Sequence, residues 1–371
     1  MKIAIVGGGP AGAHLGYCLA KEGIKATIFD HSHPREKPCG GGISALAMKK
    51  FAFLRDLYYE SNDEWLKLIS PKGRVALIGS EEETMAVSRK RMDMFILERA
   101  RAAGANLVEE KVVDFGRAKD GDGWVIKTDK RLFRADLVVG ADGVNSMVRR
   151  KMLGPIPKRN LCVCYGCFAR SPRHADEITT IRFLEGMEGY AWSFPREDDL
   201  SIGVGVEASR GGLAKGEFER FVREYAGHVR QISVWGALLP VVKDPKFFDL
   251  PVSGDGWLLA GDAAGHVDPI TGEDITYALW SAELAAKAIA SGEMESFEAA
   301  WKKAYGSNLW DGSMMRRFFF NGIFLETIVK LSSRSETFGN IVCGLINSEQ
   351  DYLTVGKIFA KKLPGILSEL L

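Results

Sequence analysis

The first thirty residues form a strand–loop–helix–strand pattern, which constrains the fold more than any other stretch. A short apolar run at 2–6 leads directly into Gly7-Gly8-Gly9-Pro10-Ala11-Gly12, which matches Gly-x-Gly-x-x-Gly. An apolar helical pattern follows until Gly23, and a second apolar strand ends at Asp30. Two strands joined by a helix through such a loop predict a Rossmann-like α/β domain that binds a dinucleotide.

The residue types in this loop suit a pyrophosphate. Gly7 and Gly9 permit a tight turn and let backbone N–H groups approach negative charge, and Ala11 lies in the helical turn that faces it. Gly12 allows the helix to pack closely on the strand. Asp30 is placed to accept hydrogen bonds from a ribose diol. The motif alone leaves the identity of the dinucleotide open.

Composition and charge limit the possible partners and locations. The 371 residues contain 49 Lys and Arg against 48 Asp and Glu, so we expect no nucleic-acid partner. No apolar run reaches the roughly 20 residues of a membrane-spanning helix, so membrane contact must be local. The dinucleotide unit begins the chain, so we expect no cleaved signal peptide. Six cysteines are too few for a disulfide scaffold, and we expect a cytoplasmic protein whose contact with the inner face of the membrane is peripheral.

The remaining strand patterns predict a chain that leaves the first domain and returns to it. Apolar strands at 135–140 and 256–260 are typical of a parallel sheet buried on both faces. Other strands, including one at 85–88, predict an inserted antiparallel sheet. Helical patterns occupy 45–57 and the chain after Ser291. We expect a dinucleotide-binding domain from 1–64, 89–160 and 251–290, a substrate-binding sheet domain from 65–88 and 161–250, and a helical region at 291–371.

Two later motifs identify the dinucleotide by resemblance. The segments GADGVNSMVR at 140–149 and GDAAGHVDPITGE at 261–273, together with the first motif, resemble the p-hydroxybenzoate hydroxylase-like class of flavoproteins. The resemblance implies FAD as the cofactor, with Asp262 holding its ribityl or ribose hydroxyls. It also implies that Asp142 and Gly143 support the cofactor and that Arg89 reaches its phosphates. Further residues expected beside FAD are Gly261, Gly272 and Ile275.

Two other motifs resemble geranylgeranyl reductases within that class. One is Lys37-Pro38-Cys39-Gly40-Gly41-Gly42-Ile43, and the other is Tyr190-Ala191-Trp192-Ser193-Phe194-Pro195 followed by Gly203-Val204-Gly205. The resemblance implies an FAD-dependent reductase that saturates C=C bonds of a geranylgeranyl or other polyprenyl chain. It places Cys39, Gly40 and Gly41 beside FAD. It places Gly42, Tyr190, Trp192 and Phe194 beside the substrate.

Reduction of such an alkene requires an acid. An isolated trisubstituted alkene is not polarised, so hydride from reduced flavin N5 needs a pocket acid that protonates the other carbon. An aromatic face such as that of Trp192 would stabilise the developing cation. The candidate acids are Cys39, Tyr190 and Asp274. Asp274 departs from the Gly-x-Gly-Ile pattern of the class, and its carboxylate would oppose negative charge on the reduced flavin.

Three functions remain open from the sequence. The leading interpretation is the reductase, acting on a polyprenyl lipid or a prenyl diphosphate. Because no second Gly-x-Gly-x-x-Gly is present, its electrons would come from transiently bound NAD(P)H or from a ferredoxin-like protein. The alternative enzyme is an FAD-dependent aromatic hydroxylase, a monooxygenase on the same fold. A flavoprotein that binds lipid without turnover is the third.

Two other groups of residues allow more than one interpretation. Cys162-x-Cys164-x-x-Cys167 has the wrong spacing for the usual zinc and iron–sulfur sites, so we expect small core residues and no metal. The apolar patch from Phe318 to Val329 is either a buried helix or part of an entrance for an isoprenoid chain. The adjacent Arg316 and Arg317 either meet a lipid or diphosphate head group or face solvent.

Overall fold

The computed structural model describes residues 1–58, 65–79, 84–119, 121–348 and 351–371. The strands are β1 (Ile3–Val6), β2 (Ala26–Phe29), β3 (Gly42–Ile43), β4 (Trp65–Ile69), β5 (Val75–Gly79), β6 (Met85–Ala86), β7 (Asn106–Val108), β8 (Val112–Arg117), β9 (Trp124–Thr128), β10 (Leu132–Ala135), β11 (Leu137–Gly140), β12 (Leu161–Arg170), β13 (Thr179–Phe183), β14 (Gly189–Pro195), β15 (Leu200–Glu207), β16 (Arg230–Pro240), β17 (Ser253–Gly254) and β18 (Trp257–Leu259). The helices are α1 (Pro10–Lys21), α2 (Ala45–Lys50), α3 (Arg89–Ala103), α4 (Met147–Met152), α5 (Ala214–Tyr225), α6 (Ile275–Ser291), α7 (Ser296–Trp301), α8 (Ser307–Phe319), α9 (Gly322–Ser332), α10 (Glu336–Ile346) and α11 (Tyr352–Leu370).

A six-stranded sheet in the order β17-β18-β11-β1-β2-β7 forms the centre of the first domain. Its pairs are parallel except for β17 with β18. All four residues of β1 and of β11 are buried, because helices or neighbouring segments cover both faces. α1 packs against α3 and α6. The predicted Rossmann-like domain is confirmed.

A second, large sheet has seven strands in the order β16-β12-β15-β14-β13-β4-β5. Its pairs are antiparallel except for β13 with β4, which corrects the expectation of a purely antiparallel sheet. α5 packs against β12 and β15, while buried apolar residues of α9 and α10 pack with those of β4, β5 and β13. The chain after Ser291 is helical where it is described, as predicted. Among the described residues, no helix is long and apolar enough to cross a membrane.

Two local expectations were wrong, and one strand was missed. The predicted strand at 85–88 does not join the large sheet, because β6 pairs with β3 beside the nucleotide-binding body. The predicted helix at 45–57 is α2 followed by a 3₁₀ turn at 52–57. β16 was not predicted at all, although its eleven residues form one edge of the large sheet. Residues 59–64 and 80–83, assigned to the first and second domains respectively, lie outside the described residues.

Glycines on β12 and β15 make room for two tryptophan rings. Gly203 lies opposite Trp192 on one side and Gly166 on the other. A Cβ added to Gly203 would lie 2.5 Å from the Trp192 ring, and one added to Gly166 would lie 2.6 Å from the Trp235 ring. The two rings stack with centroids 6.1 Å apart and planes 30° apart. The glycine motif therefore accompanies the aromatic motif because a ring lying on one strand requires a residue without a side chain on the next.

Replacing Gly203 by Ala should destabilise the protein, because the new methyl group would overlap the Trp192 ring. We expect the free energy of unfolding, measured by urea titration of the apoprotein, to fall by about 1–3 kcal/mol. Gly216→Ala on α5 is the matched control, since its Cβ would meet no atom within 4 Å. Helix propensity predicts a gain of about 0.5–1 kcal/mol for that variant. A Gly203→Ala protein as stable as the wild type would contradict this packing.

Candidate functional site

A cleft runs beside the loops that follow β1, β2 and β11, and we call it the nucleotide cleft. Predicted cofactor residues that line it are Gly7, Gly9, Ala11, Asp30, Arg89, Asp142, Gly143, Asp262 and Ile275. Gly12 and Gly261 do not line it. A Cβ added to Gly12 would lie 1.9 Å from the Gly7 carbonyl oxygen, and one added to Gly261 would lie 3.1 Å from the Ala11 Cβ. These two glycines therefore permit the close packing of backbone that shapes the cleft.

Several polar groups in the nucleotide cleft fit a bound dinucleotide. Arg89 Nη1 and Asp142 Oδ1 are buried without a hydrogen-bond partner within the described residues. The other Asp142 oxygen accepts a hydrogen bond from the Met147 N–H at 2.6 Å, and burial raises the pKa of this carboxyl group. α1 has no acidic residue in its first turn, so its N-terminus favours an anion. A Cβ added to Gly9 would meet no atom within 4 Å, which leaves the backbone there open to a diphosphate.

Four side chains of alternating charge connect the ribose end of the cleft to Arg89. His33 Nδ1 lies 3.2 Å from Asp30 Oδ1, and its Nε2 lies 3.6 Å from Asp93 Oδ2. Arg89 donates to both oxygens of Asp93, at 2.8 and 3.1 Å. Burial alone would lower the pKa of His33, but the two carboxylates raise it to about 9. Burial would raise the pKa of Asp93, yet Arg89 and His33 hold it at about 2.

Asp30 occupies the position expected for the ribose ligand and is itself held by its neighbours. Its Oδ2 accepts the Gly8 N–H at 2.7 Å, and its Oδ1 accepts the Ser32 N–H at 2.7 Å. Although burial opposes ionisation, hydrogen bonds from His33 and Ser32 keep the pKa of Asp30 well below its usual range. The carboxylate is thus ionised and oriented before any ligand arrives. The sequence reasoning missed His33 and Asp93, whose partners are set by the tertiary fold.

An apolar cavity lies on the glycine-bearing face of the large sheet. The residues predicted beside the substrate, Gly42, Tyr190, Trp192 and Phe194, line it. Cys39, Gly40, Gly41 and Gly272 were predicted beside FAD, but they line this cavity and not the nucleotide cleft. Phe319 and Phe320 of the apolar patch line it as well, and so does Trp235, which was not predicted to do so. The alternation of Trp235, Ala237 and Leu239 along β16 was the signal that would have revealed this strand.

The loop around Cys39 lies directly on the aromatic wall of this cavity. A Cβ added to Gly40 would lie 2.9 Å from the Phe194 ring, and Gly41 has a φ of +79° with its Cα close to the Val87 carbonyl group. The Ser201 hydroxyl donates to the Cys39 carbonyl oxygen at 2.8 Å. Consecutive glycines are required here because side chains would separate the loop from the sheet.

The nucleotide cleft and the apolar cavity meet at Lys37, Asp262 and Asp274, which line both. Lys37 Nζ lies 3.7 Å from Asp262 Oδ2. Burial and the nearby Asp262 raise the pKa of Asp274, while Lys37 and Arg89 oppose the shift. We call the place where the two spaces join the junction.

Glu273 is a second acid beside the junction that sequence reasoning did not select. It lines the apolar cavity, and its Oε1 accepts the Thr276 N–H at 2.9 Å. Burial raises its pKa to about 7, with Thr276 opposing the shift and Asp274 adding to it. The sequence carried no signal for it, because Glu273 occupies the variable position of the Gly-x-Gly-Ile pattern and only Asp274 departs from that pattern.

The other two candidate acids are poorer proton donors. The Tyr190 hydroxyl donates a hydrogen bond to the Thr271 carbonyl oxygen, and burial raises its pKa. Burial also raises the pKa of the Cys39 thiol, although Arg89 opposes the shift. Both groups therefore hold their protons more tightly than they would in water.

The structure shows where the cysteines, the apolar patch and the two adjacent arginines lie. Cys162 Sγ and Cys164 Sγ lie 3.9 Å apart on the wall of the apolar cavity, and no group of three or more His, Cys, Asp or Glu among the described residues could hold a metal. The apolar patch divides, since Leu325 and Val329 are buried in the core whereas Phe318 is 60 % exposed. Arg316 is buried and donates to Glu188 at 3.0 Å, and Arg317 is exposed.

Replacing His33 by Gln should destabilise the apoprotein by about 3–5 kcal/mol, because it leaves two carboxylates buried without their shared cation. In the wild type the contribution of this charge is complete below a pH of about 6.5 and is lost as the pH rises through about 9. Urea titrations should therefore show the deficit at mildly acidic pH and a smaller one above a pH of about 9. His31→Gln, an exposed position on the same loop, should leave stability unchanged. An equal deficit at all pH values would mean that His33 is uncharged.

Comparison with known proteins agrees with this geometry. A family model described as an FAD binding domain matches residues 1–160. An uncharacterised protein of Methanosarcina barkeri is 30 % identical and covers 98 % of this chain and 90 % of its own length. A menaquinone reductase of Mycolicibacterium smegmatis is 31 % identical, over 81 % of this chain and 78 % of the relative. A geranylgeranyl diphosphate reductase of Synechocystis is 25 % identical, over 86 % of this chain and 85 % of the relative.

The fold is also found in a solved structure. A geranylgeranyl bacteriochlorophyll reductase-like protein of Thermoplasma acidophilum superposes with a TM-score of 0.78 at 22 % identity, over 97 % of this chain and 98 % of that one. This structural similarity shows the fold, whereas the relatives found by sequence show the family. This chain therefore belongs to the geranylgeranyl reductase family and is a flavin-dependent oxidoreductase whose cofactor is FAD.

Proposed function

We propose that this protein saturates C=C bonds of a polyprenyl chain bound in the apolar cavity. The observation that carries the proposal is the junction, since Lys37, Asp262 and Asp274 line both the cavity and the nucleotide cleft. A chain in the cavity and a dinucleotide in the cleft would meet there. FAD in its reduced form supplies the hydride for this reaction.

The aromatic wall suits the substrate and the charge that develops on it. Trp192 and Trp235 stack on each other, Phe168 lies 5.9 Å from the Trp235 ring, and Phe194 lies 6.2 Å from the Trp192 ring. Such faces bind an isoprenoid chain through apolar contact and stabilise a tertiary cation through their π electrons. The stack also excludes water, which would otherwise trap the cation.

We assign the proton to the carboxyl pair formed by Glu273 and Asp274. An acid is most effective when its pKa lies near the working pH, and Glu273, at about 7, meets this condition better than Cys39 or Tyr190. The neighbouring Asp274 adds to the rise in the pKa of Glu273, because one negative charge disfavours a second one nearby. Ser44 Oγ lies 3.0 Å from Thr276 Oγ1, which places two hydroxyl groups beside this pair.

The charges along the cavity favour a prenyl lipid over a free prenyl diphosphate. The cations among the described residues that line the cavity are Lys37 and Arg316. Lys37 faces Asp262, and Arg316 is paired with Glu188. A diphosphate would find no surplus of positive charge there. The relatives include a geranylgeranyl diphosphate reductase and a menaquinone reductase. For this protein we propose a substrate whose head group stays outside the cavity.

The function can be tested without knowing whether the electron donor is NAD(P)H or a ferredoxin-like protein. Holoenzyme reduced anaerobically with dithionite is mixed with a geranylgeranyl-bearing lipid, and the flavin spectrum and the mass of the lipid are followed. We expect the flavin to be reoxidised while the lipid gains one H₂ per bond reduced. Reduced enzyme that no polyprenyl lipid reoxidises would point to lipid binding without turnover. Oxygen uptake with a phenolic substrate would favour the hydroxylase.

Exchange of the acids tests the assignment of the proton. Glu273→Gln should slow flavin reoxidation by polyprenyl lipid about 10²–10⁴-fold, because the amide keeps the bond to Thr276 but supplies no proton. The wild-type rate should fall as the pH rises above about 7, since the acid must be protonated, and this fall should disappear in the variant. Cys39→Ser is the matched control and should retain most of the rate. The opposite pattern, with the Cys39 variant inactive and the Glu273 variant unaffected, would assign the proton to the thiol.

A further inference from the structure

Asp274 precedes the first residue of α6 but does not cap this helix. An Asp side chain in this position commonly accepts an N–H of the first helical turn. The Asp274 carboxyl group accepts no such bond, and Glu273 instead accepts the Thr276 N–H at 2.9 Å. The φ of Asp274 is −119°, which an ordinary residue adopts without strain. Helix capping therefore does not explain why an acid lies here, where the flavoprotein class has glycine.

The location of Asp274 puts this acid at the flavin end of the nucleotide cleft. Asp30 marks the adenosine end, because an acid after the second strand of such a domain binds the adenosine ribose. The cleft opens on the apolar cavity at the junction, where Asp274 lines both spaces and Ile275 lines the cleft. FAD bound with its adenosine at Asp30 therefore extends its flavin end to the junction.

Acids outnumber cations at the junction. Among the described residues that line both spaces, Asp262 and Asp274 are acids and Lys37 is the one cation. Lys37 Nζ lies 3.7 Å from Asp262 Oδ2, and the nearby Arg89 donates to both oxygens of Asp93, so both cations are paired with acids other than Asp274. The titratable side chains that interact electrostatically with Asp274 belong to the preceding residue, the glycine-rich loop, α3, β12 and the turn after β18, and they are Glu273, Lys37, Cys39, Arg89, Cys164 and Asp262.

Reduction of a flavin adds negative charge that its surroundings either stabilise or neutralise. Two electrons with one proton convert the ring to an anion, whereas two electrons with two protons leave its charge unchanged. A helix N-terminus without an acid favours the anion, and glycine in the class pattern provides that arrangement. An ionised carboxyl group beside the ring disfavours a second negative charge and favours the uptake of another proton. The charges at the junction therefore predict that second proton.

We propose that Asp274 couples the two-electron reduction of bound FAD to the uptake of two protons, so that reduction adds no net charge to the junction. The step is balanced, because FAD, two electrons from the donor and two protons from solvent give the reduced site. This role requires FAD but no polyprenyl substrate, so it stands or fails independently of the proposed reductase. If that function holds as well, the reduced site stores the one hydride and the one proton that saturation of a C=C bond consumes.

The test is a spectroelectrochemical titration of the holoenzyme at several pH values, without any lipid. At mildly alkaline pH, where reduced flavin in water is an anion, the midpoint potential of the wild type should fall with a slope of two protons per two electrons. Asp274→Asn should show a slope of one proton there. Relative to the wild type, this variant should favour reduced over oxidised FAD by about tenfold or more, which raises the potential by about 30 mV or more. A wild type that takes up one proton, or a variant that still takes up two, would overturn the proposal.

Three further variants separate the charge of Asp274 from a structural role. Asp274→Gly restores the class pattern and should behave like Asp274→Asn, which keeps the test decisive if the amide variant does not fold. Asp249→Asn, at an exposed position that lines neither space, is the control and should keep the slope of the wild type.

The affinity of the apoprotein for oxidised FAD should be the same in all of these proteins, because the oxidised ring is uncharged. An equal loss of affinity for oxidised and reduced FAD in the Asp274 variants would show a structural role and overturn the proposal. Loss of one proton in Glu273→Gln, with two protons retained in the Asp274 variants, would overturn it by assigning the uptake to the neighbouring acid.

Discussion

The apolar cavity of this protein depends on direct contact between aromatic rings and the backbone of glycine residues in the large sheet and in the Cys39 loop. Gly203 and Gly166 give the rings of Trp192 and Trp235 a flat surface on which to lie. Gly40 brings the Cys39 loop against the same wall. Each of these contacts is closer than a Cβ atom would allow, so the dimensions of the cavity depend on backbone meeting ring directly. The apolar cavity can form because glycines take the place of larger side chains on this face of the sheet.

Buried charge is managed differently at the two ends of the nucleotide cleft. At the ribose end, His33 lies between the carboxylates of Asp30 and Asp93. Because positive and negative charges alternate along this series of side chains, each charge offsets part of the cost of burying its neighbour. Beside the junction, burial and nearby acids raise the pKa values of Glu273 and Asp274, although Lys37 and Arg89 oppose the shift of Asp274. Opposite charges thus stabilise ionised side chains at the ribose end, whereas the two acids hold their protons more tightly than they would in water.

The C-terminal helices hold the turn from which the two acids project. Arg316 on α8 donates to the Pro269 carbonyl oxygen, and the Tyr352 hydroxyl on α11 donates to Asp268 at 2.6 Å. Asp268 in turn accepts the N–H groups of Ile270 and Thr271. Helix α8 is therefore connected through one side chain to the turn before Glu273.

The sequence by itself determined the Rossmann-like domain, because its Gly-x-Gly-x-x-Gly loop lies between a strand and a helix. The resemblance of its other motifs to known flavoproteins indicated FAD and the family. Alternation along a strand, which is a local property, also predicted that Trp192 lies beside the substrate, and Trp192 lines the apolar cavity. Tertiary structure alone decided the rest. The series of charged side chains from Asp30 through His33 and Asp93 to Arg89 joins residues of a loop to residues of a helix distant in sequence. The raised pKa of Glu273 comes from burial, which a sequence motif does not indicate. Arg316 and Phe318 of α8 differ in burial for the same reason, since what each side chain meets depends on which part of the fold covers it.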